Sequence, residues 1–326
     1  MKAMVCQKYG TPDVLCLKDV AIPVAGDNQV LIRVHATSVT AADYRIRGLN
    51  VPTGFAFIMR LALGFRKPRR PILGINLAGE VEAVGKNVSR FKPGDQVFGS
   101  NSLAFGAYAE YVCMDEDSLL VHKPEAMSFE QAAAFSFGAL SALSFLRDKG
   151  RIVKDEKVLI YGASGAVGTA AVQLAKYFGA EVTAVCSAAN LEMVKSIGAD
   201  TVIDYQQEDF TRNGKRYDII FDTVGQSSFA GCLSSLSADG RYLLAVAGIP
   251  RYFHILWTKL IRKKKIIAGV ADESRQDLVF LGKLFEKNML IPVIDRSYPF
   301  EDLPAAHRYA EQGHKKGCVV ISMGVE

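Results

Sequence analysis

A strand-like run, Val158-Leu159-Ile160-Tyr161, opens straight into Gly162-Ala163-Ser164-Gly165-Ala166-Val167-Gly168 and then into helix-forming sequence. Few folds accommodate that order. Small residues let the backbone approach a ligand closely, and the following helix aims free N–H groups and a partial positive charge at it. The pattern predicts a strand, a tight turn and a helix from Ala166 to Phe178, with Gly179 as its C-terminal cap. Anionic dinucleotides are the ligands such a turn suits. In the usual fingerprint the three glycine positions fall on Ala163, Gly165 and Gly168, so the first is an alanine.

One such turn is weakly diagnostic alone, so its surroundings decide. Apolar strands recur at Val158–Tyr161, Val182–Cys186, Thr201–Ile203, Ile219–Phe221 and Tyr242–Val246, with amphipathic helices between them. That alternation implies an α/β fold with a parallel, doubly wound sheet. Upstream, the chain reads as β-rich, with strands at Val14–Val20, Val30–Val39, Leu77–Val84, Gln96–Phe98 and Tyr108–Met114. Ser128 and Gln131 form a capping box for a helix running through Ala132 to Leu146. After residue 265 the sequence predicts a helix at Ser274–Asn288, a short helix near Pro304–Gln312 and a strand at Cys318–Ser322. These are too few for a third core. The expected organisation is a β-rich domain over residues 1–125, a dinucleotide domain over 126–265, and a return of 266–326 onto the first.

A rival reading treats Gly162-Ala163-Ser164-Gly165-Ala166 as the nucleophile elbow of a hydrolase, with Asp222 and His254 completing a triad. The elbow's last glycine is missing, and that reading leaves Gly168 unexplained.

The second strand bears on cofactor choice. An NAD site usually places a carboxylate about twenty residues past the glycines, to hold the ribose hydroxyl. Here the strand ends Val185-Cys186-Ser187-Ala188-Ala189-Asn190, without one. Ser187 and Asn190 can donate to a 2′-phosphate that a carboxylate would repel, so NADPH is expected, with NADH possible.

The net charge of +5 is mild, and no nucleic-acid partner is expected. None of the six cysteines forms a CxxC pair; free thiols in a reducing compartment are expected. Met1 to Gln7 reads as a first strand, no apolar run approaches ~18 residues, and a cytoplasmic enzyme is the default expectation.

Taken together, the sequence resembles the medium-chain dehydrogenase/reductase superfamily across nearly its whole length. The likeness is to the zinc-free quinone oxidoreductase and 2-alkenal (enoyl) reductase branch. It rests on Val39 to Asp43 through Arg47-Gly48, Leu73 to Val81, Phe91 to Gly99, Leu140-Ser141-Ala142, the Ala163–Gly168 loop, Gly198-Ala199-Asp200, Val202 to Tyr205, and Phe221 to Gly225. The resemblance implies a GroES-like β-rich catalytic domain, an inserted Rossmann domain, and a homodimer. It also implies that Ser164, Gly165, Ala166 and Val167 face the pyrophosphate. Ser187 and Tyr205 would meet the adenosine phosphate, and Ser141, Ala247 and Gly248 the nicotinamide. The family's C-terminal glycine-lysine pair reads Gly317-Cys318 here, with Lys316 one place early.

Zinc alcohol dehydrogenases of the superfamily carry cysteine where Thr40 stands, and Gly-His-Glu where this chain reads Gly74-Ile75-Asn76. Isoleucine cannot ligate zinc, the four-cysteine structural lobe is absent, and the five histidines show no ligand spacing, so no metal is expected. Without zinc to acidify an alcohol, the implied chemistry is hydride delivery from NADPH to an activated acceptor: a quinone, or an enal or enone. Thr40 and Tyr44 are candidates to hydrogen-bond the acceptor oxygen, with Tyr44 equally suited to packing; Asp43 and Arg47 are read as holding the local helix. Two alternatives stand beside this. One is an enoyl-thioester reductase. The other is a non-catalytic, NADPH-binding, membrane-associated relative.

Two apolar segments, 54–65 and 252–257, each run into a basic cluster, Arg66 to Arg70 and Arg262 to Lys265. Phe55, Ile58, Ala62 and Phe65 would share one helical face. Burial within the domain, a subunit contact or a lid over the acceptor cleft are the readings placed first, and contact with a membrane surface last.

Overall fold

The structure is a computed structural model; it describes residues 1–324 apart from 52, 103, 250, 252–254 and 256–264. Six strands form one sheet, in the spatial order Thr201–Asp204, Glu181–Cys186, Lys157–Tyr161, Tyr217–Asp222, Leu236–Leu244 and Lys265–Ala268. Every neighbouring pair is parallel. The chain starts in the middle, builds outward to one side, then crosses back to build the other. That reversal falls between Lys157–Tyr161 and Tyr217–Asp222. In a Rossmann sheet the crevice beyond those two carboxyl ends is where a dinucleotide lies. The expected fold class is therefore the one observed. The fifth strand begins earlier than its periodicity suggested and stops at Leu244, and a sixth strand carries the sheet on to Ala268.

The second sheet has seven strands. Gln29–Val39 lies near its middle, pairing with Asn76–Val84, Tyr111–Asp115 and Cys318–Ser322. The last of these, with Ile294–Pro299 beyond it, returns the C-terminal segment to the N-terminal sheet. Val30, Ile32 and Val34 alternate into one core. From Ala36 onward every residue to Val39 is buried, because the helix Phe129–Leu143 covers the other face. A single strand thus joins two cores.

That helix starts with the anticipated capping box: Gln131 N–H donates to Ser128 Oγ at 3.1 Å, and Ser128 N–H to Gln131 Oε1 at 3.0 Å. It continues as a π-helical segment, Ser144–Lys149. Together they make 21 residues long and apolar enough to cross a membrane, contrary to the expectation from the sequence. They are 78% buried within the most apolar window, as a core helix is.

One further boundary moved. The strand expected from Tyr108 begins at Tyr111. Tyr108 instead turns fully inward, where its hydroxyl meets the Ser38 carbonyl and His307. All six cysteines are free thiols. In the helix Ala56–Leu63, the half-buried side carries Phe55, Met59 and Leu63, while Ile58, Ala62 and Phe65 of the face drawn from the sequence are exposed. Of the segment 252–257 only Ile255 is described, buried in the core beside the sheet; its other residues and most of the basic cluster lie outside the described residues.

Candidate active site

The glycine turn is built from three distinct constraints. The N–H groups of Gly162 and Ala163 both donate to the Val185 carbonyl, at 3.0 and 3.1 Å, tying the turn to the next strand. Gly162 has φ +79°, and a Cβ there would lie 2.3 Å from Val224 Cγ2. The turn's left-handed glycine is therefore Gly162, and the alanine at 163, fully buried, sits where alanine fits. This resolves the apparent mismatch in the motif. Gly168 brings helix and turn together: a Cβ on it would stand 2.2 Å from the Gly162 carbonyl oxygen.

Gly165 differs from both. It caps the helix Ala166–Tyr177 in an extended conformation, with no side-chain hydrogen bond to the first turn. A Cβ on Gly165 would touch only the Gly162 carbonyl oxygen, at 3.6 Å, so the protein itself leaves that space open. The first intrahelical bond is Thr169 N–H to Gly165 O. The N–H groups of Ala166, Val167 and Gly168 therefore have no side-chain cap. An open cradle over uncapped donors fits a pyrophosphate. Gly138 of the core helix crosses here so closely that a Cβ would reach within 2.4 Å of the Ala166 carbonyl oxygen. Ser141, one turn on, keeps a sliver of exposure beside the crossing.

The C-terminal return closes one side of the turn. Gly317 N–H donates to the Ser164 carbonyl at 2.7 Å. Lys315 Nζ bonds the Gly317 carbonyl, and burial pushes its ammonium pKa down. Lys316 is exposed. Lys315, not Lys316, is thus the lysine drawn in beside the turn, a residue that sequence reasoning missed because it stands off the family's glycine-lysine position.

At the adenosine end, Ser187 and Tyr205 come together. Each follows a member of one register pair, Cys186 and Asp204. Tyr205 is half exposed. Asn190 is buried and donates from Nδ2 to Ser187 Oγ at 3.2 Å, so it orients the serine instead of facing the crevice itself. The Asp204 carboxylate is turned into its own loop, where Oδ1 accepts from Gln206 N–H at 3.1 Å.

Beyond the fifth strand, the Ala247-Gly248 loop reaches the catalytic domain. Ile249 N–H donates to the Thr53 carbonyl at 2.9 Å, and a Cβ on Gly248 would lie 3.1 Å from the same oxygen. The two domains touch here, at one wall of the cleft.

Thr40 caps the helix Ala41–Gly48. Its Oγ1 donates to Asp43 Oδ2 at 2.6 Å and accepts from Asp43 N–H at 3.3 Å, and Thr40 N–H donates to the same carboxylate at 2.8 Å. The hydroxyl proton anticipated for an acceptor oxygen is bonded to Asp43. Burial pushes the Asp43 carboxyl up to about 6, against the pull of Thr40. Arg47 pairs with Glu311, which ties this helix to Leu303–Glu311 of the C-terminal return, a longer reach than local support. Tyr44 is half-buried against the catalytic core, and burial raises its phenol pKa.

Residues 26–125 match the alcohol dehydrogenase GroES-like domain, residues 197–321 a zinc-binding dehydrogenase family, and residues 132–227 the C-terminal domain of alanine dehydrogenase/PNT. The human quinone oxidoreductase is 32% identical, over 94% of this chain and 93% of its own length. The 2-methylene-furan-3-one reductase of Solanum lycopersicum is 31% identical over 98% of this chain and 79% of its own. The structure of a quinone oxidoreductase from Coxiella burnetii superposes with a TM-score of 0.88 at 30% identity, covering 99% of both chains. The chain belongs to the quinone oxidoreductase branch of the medium-chain dehydrogenase/reductase superfamily.

Membership in a nicotinamide-dependent superfamily identifies the ligand class of the glycine turn. It also frames the residues at the zinc alcohol dehydrogenase positions. Thr40 is a helix cap, Ile75 is buried, and buried Asn76 donates to Ser38 Oγ at 3.1 Å. Among the described residues no three His, Cys, Asp or Glu side chains gather to hold a metal. The hydrolase rival loses its acid in this quinone oxidoreductase relative. The Asp222 carboxylate is consumed by its own loop, accepting from the N–H groups of Val224, Gly225 and Ser227 and from Ser227 Oγ. His254 lies outside the described residues.

Proposed function

We propose that this protein is an NADPH-dependent, zinc-independent reductase that transfers hydride to a quinone or an α,β-unsaturated carbonyl. The observation that carries the reading is the open space over Gly165 above the uncapped N–H groups of Ala166, Val167 and Gly168. The relatives, a quinone oxidoreductase and a 2-methylene-furan-3-one reductase, support the acceptor class.

Bound NADPH supplies the hydride. The chain's own residues bind and orient. The first turn of the helix Ala166–Tyr177 neutralises the pyrophosphate charge through backbone donors and the helix dipole. Ser187, its Oγ already accepting from Asn190, has its proton available for the ribose 2′-phosphate, and Tyr205 flanks it. Ala247-Gly248 and Thr53 bring the two domains into contact beside the reacting end. With the Thr40 hydroxyl held by Asp43, Tyr44 is the remaining phenolic candidate to meet an acceptor oxygen. A quinone or enone spreads the incoming charge over its own oxygen, so the reaction asks for orientation more than for a strong acid. Among the described residues the strand Lys265–Ala268 is a sheet edge, which supports a homodimer formed edge to edge.

The test is NADPH oxidation by chelator-treated protein against a panel of soluble quinones and of enals and enones. Turnover with either class, undiminished by metal removal, is expected. No NADPH binding by fluorescence titration, or activity that is lost when the chelator removes stoichiometric zinc, overturns the reading. Turnover restricted to enoyl thioesters would favour that alternative.

A further inference from the structure

The helix Ala56–Leu63 turns its apolar side to solvent. Phe57, Ile58 and Leu61 are 64, 52 and 55% exposed, and Phe65 in the next turn is 60% exposed. None of the helix's residues is buried. An apolar face this open normally has an occupant. Its surroundings say which. Arg66, Lys67, Arg69 and Arg70 follow at once, all exposed. Arg66, Lys67 and Arg69 enter no ion pair among the described residues. From Tyr44 to Gly79 the sequence holds seven arginines and lysines and no carboxylate at all. The face is also held in place. Tyr9 Oη donates to the Gly64 carbonyl at 2.8 Å, and Arg60 folds back to donate to the Phe65 carbonyl at 2.8 Å.

We propose that this face docks on a bilayer bearing anionic phospholipids. The argument is charge complementarity. Headgroup phosphates match a basic run without acids, and the acyl boundary takes four large apolar side chains that offer no hydrogen bonds. A nucleic acid would satisfy the cations and leave the apolar side chains in water. The location adds to the reductase reading without depending on it. Thr53 and Gly54, just before the helix, form the wall where the Gly248-Ile249 loop meets the catalytic domain. Docking there sets the cleft mouth against the membrane, within reach of a lipophilic acceptor.

The experiment is co-sedimentation of the full chain with phosphatidylcholine vesicles, with and without 30 mol% phosphatidylglycerol, at low and high salt. Binding to the anionic vesicles alone, weakened by salt, is expected. Two variants read the two halves of the face. Phe57→Ser with Phe65→Ser removes apolar contact, and Arg66→Gln with Lys67→Gln and Arg69→Gln removes charge. All five residues are exposed, so folding and NADPH affinity should be unchanged, while vesicle affinity falls at least tenfold in each. Absence of binding to anionic vesicles, or equal binding by the variants, overturns the proposal. So does a dimer that the Phe57→Ser, Phe65→Ser pair dissociates in the absence of vesicle binding, since a second copy would then be the occupant. Failure of NADPH binding would leave the vesicle result standing, so the two readings fail separately.

Discussion

Asn190, buried at the end of the second Rossmann strand, donates through Nδ2 to Ser187 Oγ across 3.2 Å. That bond fixes one lone pair of the serine and directs its proton outward. A carboxylate at 187 would instead present charge to a 2′-phosphate at short range, where like charges cost most. Ser187→Asp should raise the KM for NADPH at least tenfold and change that for NADH by less than about threefold. Steady-state kinetics with both cofactors checks this. Unchanged preference would mean that the serine does not meet the phosphate.

Two glycines of one turn should respond in opposite ways. Gly165 has room for a methyl group on the protein side, and its φ of −80° suits alanine. Gly165→Ala should leave stability unchanged or raise it by about 0.4–1 kcal/mol, because the unfolded chain loses freedom. It should weaken NADPH binding at least tenfold, since the methyl group enters the pyrophosphate's space. Gly168→Ala has no such room and should cost about 1–3 kcal/mol of stability. Thermal melts paired with nucleotide titrations separate the two effects.

Periodicity and punctuation made most of this architecture readable. The strand-turn-helix at Val158 to Gly168 and the alternation after it announce a doubly wound sheet, because apolar period and glycine placement are local signals. The Ser128–Gln131 box worked for the same reason. What stayed hidden depends on contacts far along the chain. Nothing near Gly162 says that Val224 will crowd it, so its left-handed role could not be read beside the alanine at 163. Lys315 is drawn beside the turn only because the C-terminal strand pairs with Gln29–Val39. Thr40 looked like a pocket donor, yet Asp43 three residues on makes the two a capping pair, a spacing that was visible in the sequence. The half-buried side of Ala56–Leu63 could not be read because apolar residues lie all around that helix and periodicity cannot choose among them.

The cap at Thr40 predicts a stability effect with little effect on turnover. Thr40→Ala removes the hydroxyl that bonds Asp43 and should cost about 1 kcal/mol. Thr40→Ser should restore most of it. Turnover in both should stay within about threefold of the wild type. A large loss in kcat for Thr40→Ala, rescued by serine, would instead place the hydroxyl at the acceptor oxygen.

Asp43 gives stability an unusual slope with pH. Its folded pKa is raised to about 6 from an ordinary 3.8, so the native state holds the proton more tightly than the unfolded one. Its contribution is full below about pH 3.8 and is lost as pH rises towards 6. Asp43→Asn keeps the shape and removes that loss. Relative to wild type, the variant's denaturation free energy should improve steadily from pH 4 to pH 6 and then level off.

His307 produces the opposite slope in an overlapping window. It is fully buried beneath the catalytic sheet, its Nε2 lies 3.1 Å from Tyr108 Oη, and burial with the nearby Arg47 charge pushes its pKa down to about 3. The native state keeps the ring neutral where the unfolded chain would protonate it. Stability from this site is therefore complete above pH 6.5 and falls as pH drops from 6.5 towards 3, by up to about 1.4 kcal/mol per pH unit. Between pH 4 and 6 this loss on acidification runs against the gain at Asp43, so the wild type should be flatter there than either variant. His307→Gln can keep a hydrogen bond to Tyr108 and has no proton to take up. Its unfolding midpoint in urea should be lower than that of wild type at pH 7 and should close the gap as pH falls to 4.5. A gap that stays constant across that range would show that the histidine is not held neutral in the folded protein.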